Sequence, residues 1–117
     1  MTIKQKDRLH PLELRTGIKT FEIKQQSLSK ENLHGCVELH KGVITIDPNQ
    51  SIEDYKGTLL HEICHIGLDM YGLGEDDQIP QMTNEYLTSV TSNMIQQLAG
   101  LNPELFSYIL GGAHHRT

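Results

Sequence analysis

Tryptophan is absent, and the 117 residues hold only four tyrosines and two phenylalanines, so the aromatic mass that anchors a large core is missing. Apolar residues make up 37%, which supports one modest core built from Leu, Ile and Val, marginal in stability without a bound group. The length fits one compact domain and leaves no room for a second with its own core. Cysteine is scarce: Cys36 and Cys64 are too few for a disulfide-stapled secreted scaffold. No apolar run approaches the roughly 20 residues that cross a bilayer, so membrane spanning is excluded. Positive charge is short as well. Ten basic against fifteen acidic residues give −5, with no basic stripe to neutralise phosphates, so nucleic-acid binding is disfavoured. The opening Met1 to Lys6 leads into Asp7, Arg8 and His10 instead of an apolar stretch with a cleavage site, and a reducing, cytoplasmic setting is expected.

What is there reads as an α+β domain. Residues 18–26, with Ile18, Thr20, Phe21 and Ile23, have strand composition. Residues 36–40 and 43–47 flank Lys41-Gly42 and predict a hairpin turning at Gly42, part of a small antiparallel sheet. Asp47-Pro48-Asn49 breaks the second strand, and Ser51 with Glu53 and Asp54 has the spacing of a capping box, so a helix is predicted from near Ile52. Tyr55, Leu59, Ile63, Ile66 and Met70 recur at helical spacing and should face the sheet. Gly72, Gly74 and Glu75-Asp76-Asp77 end that helix in an exposed loop. A second helix over 82–99 carries Leu87, Val90, Met94, Leu98 and Leu101 on one side and Glu85, Ser89, Ser92 and Gln96 on the other. Small residues permit close helix approach, so this second side is expected to cover the first helix's polar face. Residues 104–110 read as a short last helix, residues 111–117 as a flexible tail, and residues 1–30 carry no motif that places them.

His61-Glu62-Ile63-Cys64-His65 is an H-E-x-x-H pattern inside the predicted helix. Histidines at i and i+4 share one face, so their ring nitrogens can converge on one zinc ion, and Glu62 beside them can take a proton from water. Histidines bonded to nearby carboxylates would be the ordinary explanation, but that gives no reason to set the pair opposite the core stripe of a covered helix. A catalytic zinc takes three protein ligands and keeps one position open. Asp69 lies on the same face but about 12 Å along the axis from His61, which suits a supporting partner and not a ligand. Glu75, Asp76 and Asp77 fall on the loop, where a carboxylate is usually solvated. Glu85 opens the second helix on its small-residue side and is the expected third ligand.

HEICH followed by Asn84-Glu85 resembles the gluzincin group of metallopeptidases typified by thermolysin, in which a glutamate after an Asn completes two histidines. The stretch from VITIDP through TLLHEICHIGL to Asn102-Pro103-Glu104-Leu105 resembles the smaller ImmA/IrrE-like proteins of bacteria and their phages. That resemblance implies a minimal zincin-like fold and a zinc-dependent peptidase, with His61, His65 and Glu85 as ligands, Glu62 as base and a cytoplasmic protein or peptide as substrate. Leu68 and Tyr71 stand where the metzincin extension needs Gly and His, and Ser89 stands where the thermolysin pattern has Asp.

A donor should steady the oxyanion; Tyr71, Tyr86, Tyr108, His34 and His40 could serve, but each reads first as a core or surface residue, and the strand Val43 to Asp47 reads equally as ordinary sheet or as an edge for an extended peptide. Cys64 and Cys36 read as packing residues. The competing reading keeps the zinc and drops the catalysis, leaving a metal-stabilised interaction module.

Overall fold

The computed structural model describes residues 10–73 and 83–111. It is an α+β fold in two layers, a four-stranded mixed sheet with three helices on one face. The strands are β1 (Glu13–Arg15), β2 (Thr20–Gln25), β3 (Gly35–Glu38) and β4 (Val43–Ile46), in the spatial order β1-β2-β4-β3. The helices are α1 (Ile52–Met70), α2 (Asn84–Leu101) and α3 (Pro103–Gly111). Among the described residues no helix is long and apolar enough to cross a membrane.

Period-two alternation sets which face of the sheet is covered. Leu14, Phe21, Ile23, Ile44 and Ile46 point to the helices and are buried, whereas Glu13, Thr20, Glu22 and Lys24 point away and are exposed. The predicted hairpin forms with Gly42 at φ +68°, a conformation glycine adopts without the steric cost of a Cβ. The sheet is not antiparallel throughout, as the hairpin alone suggested: β2 and β4 run parallel, with Ile23 opposite Ile44 and Gln25 opposite Ile46. The segment after β2 crosses to the far edge and β3 returns, so β4 is inserted between β2 and β3. Leu28 and Asp47 fix this crossover. Leu28 is buried, and the buried Asp47 carboxylate accepts from the Leu28 and Asn49 amides at 2.9 and 2.8 Å. Val43–Ile46 is therefore an interior strand; the edge on that side is β3.

Helix α1 begins at Ile52, where the Ser51 hydroxyl accepts from the Asp54 amide at 3.1 Å as a cap should. Its stripe of Tyr55, Leu59, Ile63 and Ile66 is buried against the sheet residues, and Met70 is partly buried at the end. In α2 the stripe Val90, Met94 and Leu98 is buried, but Ser89, Ser92 and Gln96 are exposed, so the small-residue side does not cover α1 as expected. Burying three large apolar side chains outweighs the packing of small polar ones, so α2 turns its apolar side inward and meets α1 at Gly67. A Cβ there would overlap Met94 and come within 3.3 Å of Leu98.

Strand β1 and residues 10–12 before it, unplaced by any motif, are held by side chains distant in sequence. The Asn102 amide receives the Arg15 amide proton and donates to the Arg15 carbonyl, both at 2.7 Å. His10 is anchored on α1. Its Nδ1 lies 2.8 Å from the Pro11 carbonyl, which can only accept, so Nδ1 carries the proton and Nε2 accepts from the Tyr55 hydroxyl at 2.9 Å. Gln25 donates to the same hydroxyl at 2.8 Å. Burial holds the His10 imidazole below its ordinary 6.5, against a smaller upward pull from the Pro11 hydrogen bond.

Two tests follow from this packing. Gly67→Ala gains about 1 kcal/mol of helix propensity yet forces Met94 aside at a cost of about 1–3 kcal/mol, so urea denaturation should show net destabilisation. The same change at Gly57, where an added Cβ meets nothing within 4 Å, should stabilise the chain instead. The second test concerns pH. The native state favours neutral His10, so the unfolded chain binds the proton first as pH falls below 6.5; this contribution is full above 6.5 and is lost on acidification. Melts at pH 7.5 and 5.5 should show a larger drop for the wild type than for His10→Gln.

Candidate metal centre

One exposed face of α1 carries His61 and His65, whose Nε2 atoms lie 3.1 Å apart with the rings nearly perpendicular at 85°. Two nitrogens this close, each about 2.0–2.1 Å from a shared ion, would subtend about 95–102° at it, near the tetrahedral angle of a zinc site. The two imidazoles therefore fit as a pair of ligands.

Glu62 occupies the flank between those histidines and the buried stripe. It is 8% exposed, and among the described residues its carboxylate has no hydrogen-bond or ion-pair partner. A buried carboxylate without a protein partner costs free energy, and natural folds rarely leave one so placed. With His34, Gly35, Thr58 and His61 it lines a groove of about 820 Å³ between α1 and the β3 edge.

Gly35 lets that edge come close. A Cβ at this position would stand 2.7 Å from Thr58 Cγ2 and 3.3 Å from Glu62 Cγ. The buried Gln50 ties the two walls together: its amide donates to the Asp47 carbonyl at 2.6 Å and to the His34 carbonyl at 3.3 Å, while its oxygen accepts from the Thr58 hydroxyl at 3.0 Å. Gly35, Gln50 and Thr58 escaped the reading by motif. Gln50 looks like ordinary loop, and the need for glycine at 35 arises from a neighbour that the topology brings.

The third expected ligand is not brought in. Glu85 lies exposed in the first turn of α2, and no third His, Cys, Asp or Glu joins His61 and His65 among the described residues. Glu75, Asp76 and Asp77 lie outside the described residues. Asp69 lines a separate groove of about 470 Å³ with His40, Ile66 and Met70, and no hydrogen bond links it to either imidazole. Of the five candidate oxyanion donors, His34 is the one that lines the groove with Glu62. Tyr71 donates to Gln97 at 3.4 Å, Tyr86 is exposed on α2, and Tyr108 packs against His10 with Lys56 over its ring. Burial raises the thiol pKa of Cys64, and burial followed by the charges of Glu38 and Glu62 raises that of Cys36, so both stay neutral, as packing residues do.

A scan against protein-family models, a search of curated proteins and a search of solved structures each found no match to the chain.

The narrow approach at Gly35 is open to test. Gly35→Ala should destabilise the chain by about 1–3 kcal/mol in urea denaturation, because Thr58 must yield. Adding Thr58→Ser, which removes Cγ2 and keeps the hydroxyl bonded to Gln50, should recover most of that loss.

Proposed function

We propose that this chain is a zinc-dependent hydrolase of peptide bonds, with His61 and His65 as metal ligands and Glu62 as general base. The observation that carries the proposal is Glu62: a buried carboxylate without a protein partner, facing a groove, beside two imidazoles at the separation one zinc ion takes. Such a carboxylate is costly to the fold and useful to a proton transfer. A bound zinc ion would supply Lewis-acid polarisation of the scissile carbonyl and a lowered pKa for the attacking water. Glu62 accepts the proton of that water and passes it to the leaving nitrogen. Among the described residues β3 is the outermost strand on its side of the sheet and its first residue, Gly35, lines the groove, so a peptide added there as a further strand would carry its scissile bond across Glu62. His34 supplies an N–H donor from the same wall. Glu85, which stands apart from the histidine pair here, is the proposed third ligand on the resemblance of HEICH and Asn84-Glu85 to the gluzincin pattern alone.

The test joins metal content to rate. The purified chain should hold about one zinc, and His61→Ala or His65→Ala should lower that occupancy, each by removing one ligand. Full zinc retention in Glu85→Ala would assign the third position to another group. Glu62→Gln should keep the zinc and cut hydrolysis of a fluorogenic peptide library by roughly 10²–10⁴, the worth of a general base. Equal rates at matched zinc occupancy would remove Glu62 from the mechanism.

A further inference from the structure

The groove's charge is distributed unevenly, and that asymmetry names a substrate class. Besides Glu62 its lining includes Glu53 and Asp54, in the first turn of α1, and among the described residues neither Lys nor Arg lines it. Among the described residues the one ion pair is Lys41 with Glu38, so none of the three groove carboxylates is neutralised by a side-chain cation. The start of α1 contributes about half a positive charge, which offsets only part of the two carboxylates there. A second, independent feature marks this groove as one that takes a ligand: the Glu62 side chain, more than nine-tenths buried and unpartnered, lines the same space.

Resting on the peptidase reading above, we infer that the groove selects peptides carrying Lys or Arg a short distance from the bond to be cut, with Glu53 and Asp54 reading the positive charge. The distance follows from helix geometry. Asp54 and Glu53 precede His61 by 61 − 54 = 7 and 61 − 53 = 8 residues, roughly 10–12 Å at the α-helical rise. An extended peptide advances about 3.3 Å per residue, so the basic side chain sits about three residues from the scissile bond. At that separation, about one Debye length in 0.1 M salt, a metal ion between His61 and His65 does not cancel the carboxylates' field.

Three fluorescein-labelled peptides test this inference, with one Ala, Leu and Ser framework and a Lys-Arg, Glu-Glu or norleucine pair at the same two positions. Each is titrated with the zinc-loaded full chain by fluorescence anisotropy, while mass spectrometry follows cleavage. The Lys-Arg peptide should bind about fivefold to tenfold more tightly than the norleucine peptide, the scale of two partly exposed charge pairs. That advantage should fade between 0.1 and 1 M salt, where the Debye length falls from about 10 to about 3 Å. Glu53→Gln with Asp54→Asn should abolish it, and Glu53→Lys alone, which sets one positive charge against the remaining Asp54 carboxylate, should abolish it as well. Glu13→Gln with Glu22→Gln removes the same charge from the open sheet face and should leave the preference intact. Equal binding of the three peptides, persistence of the preference in both groove variants, or its loss in the sheet-face variant would overturn the inference. A chain that binds zinc and cleaves all three peptides alike loses this inference and keeps the hydrolase. A chain that prefers the basic peptide but holds no zinc and cuts nothing keeps the charge-reading groove and loses the hydrolase.

Discussion

The packing of Tyr55, Leu59, Ile63 and Ile66 onto Phe21, Ile23, Ile44 and Ile46 fixes where every polar group on α1 can point. At about 100° per residue, a helix that buries Ile63 must turn His61 and His65 nearly to the opposite side, and it leaves Glu62 on the flank between them. The three residues thus hold different environments within five positions: two exposed imidazoles and one buried carboxylate. The burial of Glu62 comes from the core below it and from β3 beside it, brought close by Gly35 and tied by Gln50. Removing either wall would return the carboxylate to water and make it an ordinary surface acid.

The parts of this arrangement that local physics controls were legible in the sequence. The Ser51 cap, the apolar stripe of α1, the Gly42 hairpin and the last helix each follow from interactions within a few residues, and each appears where its pattern lies. What failed was long-range. The parallel pairing of β2 with β4 depends on a crossover held by Leu28 and Asp47, and no hairpin pattern announces it. Strand β1 is three residues long, secured by Asn102 far along the chain, so its own sequence could not reveal it. The apolar stripe Val90, Met94 and Leu98 of α2 is buried as its spacing implies, but the small-residue side expected to cover the histidines is exposed, because the placement of one helix against another is not written in either.

The candidate site divides along the same line. His61, Glu62 and His65 lie within one helical turn and a residue, and the helix brings them together. Glu85 belongs to another helix, where the relative placement of two elements decides proximity, and it stands exposed and apart from the histidine pair. Sequence spacing constrains such a ligand far less than it constrains a pair at i and i+4.

The pairing of Asn102 with Arg15 has a consequence for the newly made chain. One side-chain amide satisfies both backbone groups of Arg15 across a separation of 87 residues, as a neighbouring strand would. During synthesis from the N-terminus, that partner emerges after the sheet and most of the helices have left the ribosome. Until then the outer rim of β1 exposes an unsatisfied amide and carbonyl, the features that invite another nascent chain to pair. The last helical segments therefore do more than complete the core: their arrival closes a window of aggregation risk that opened with the first strand.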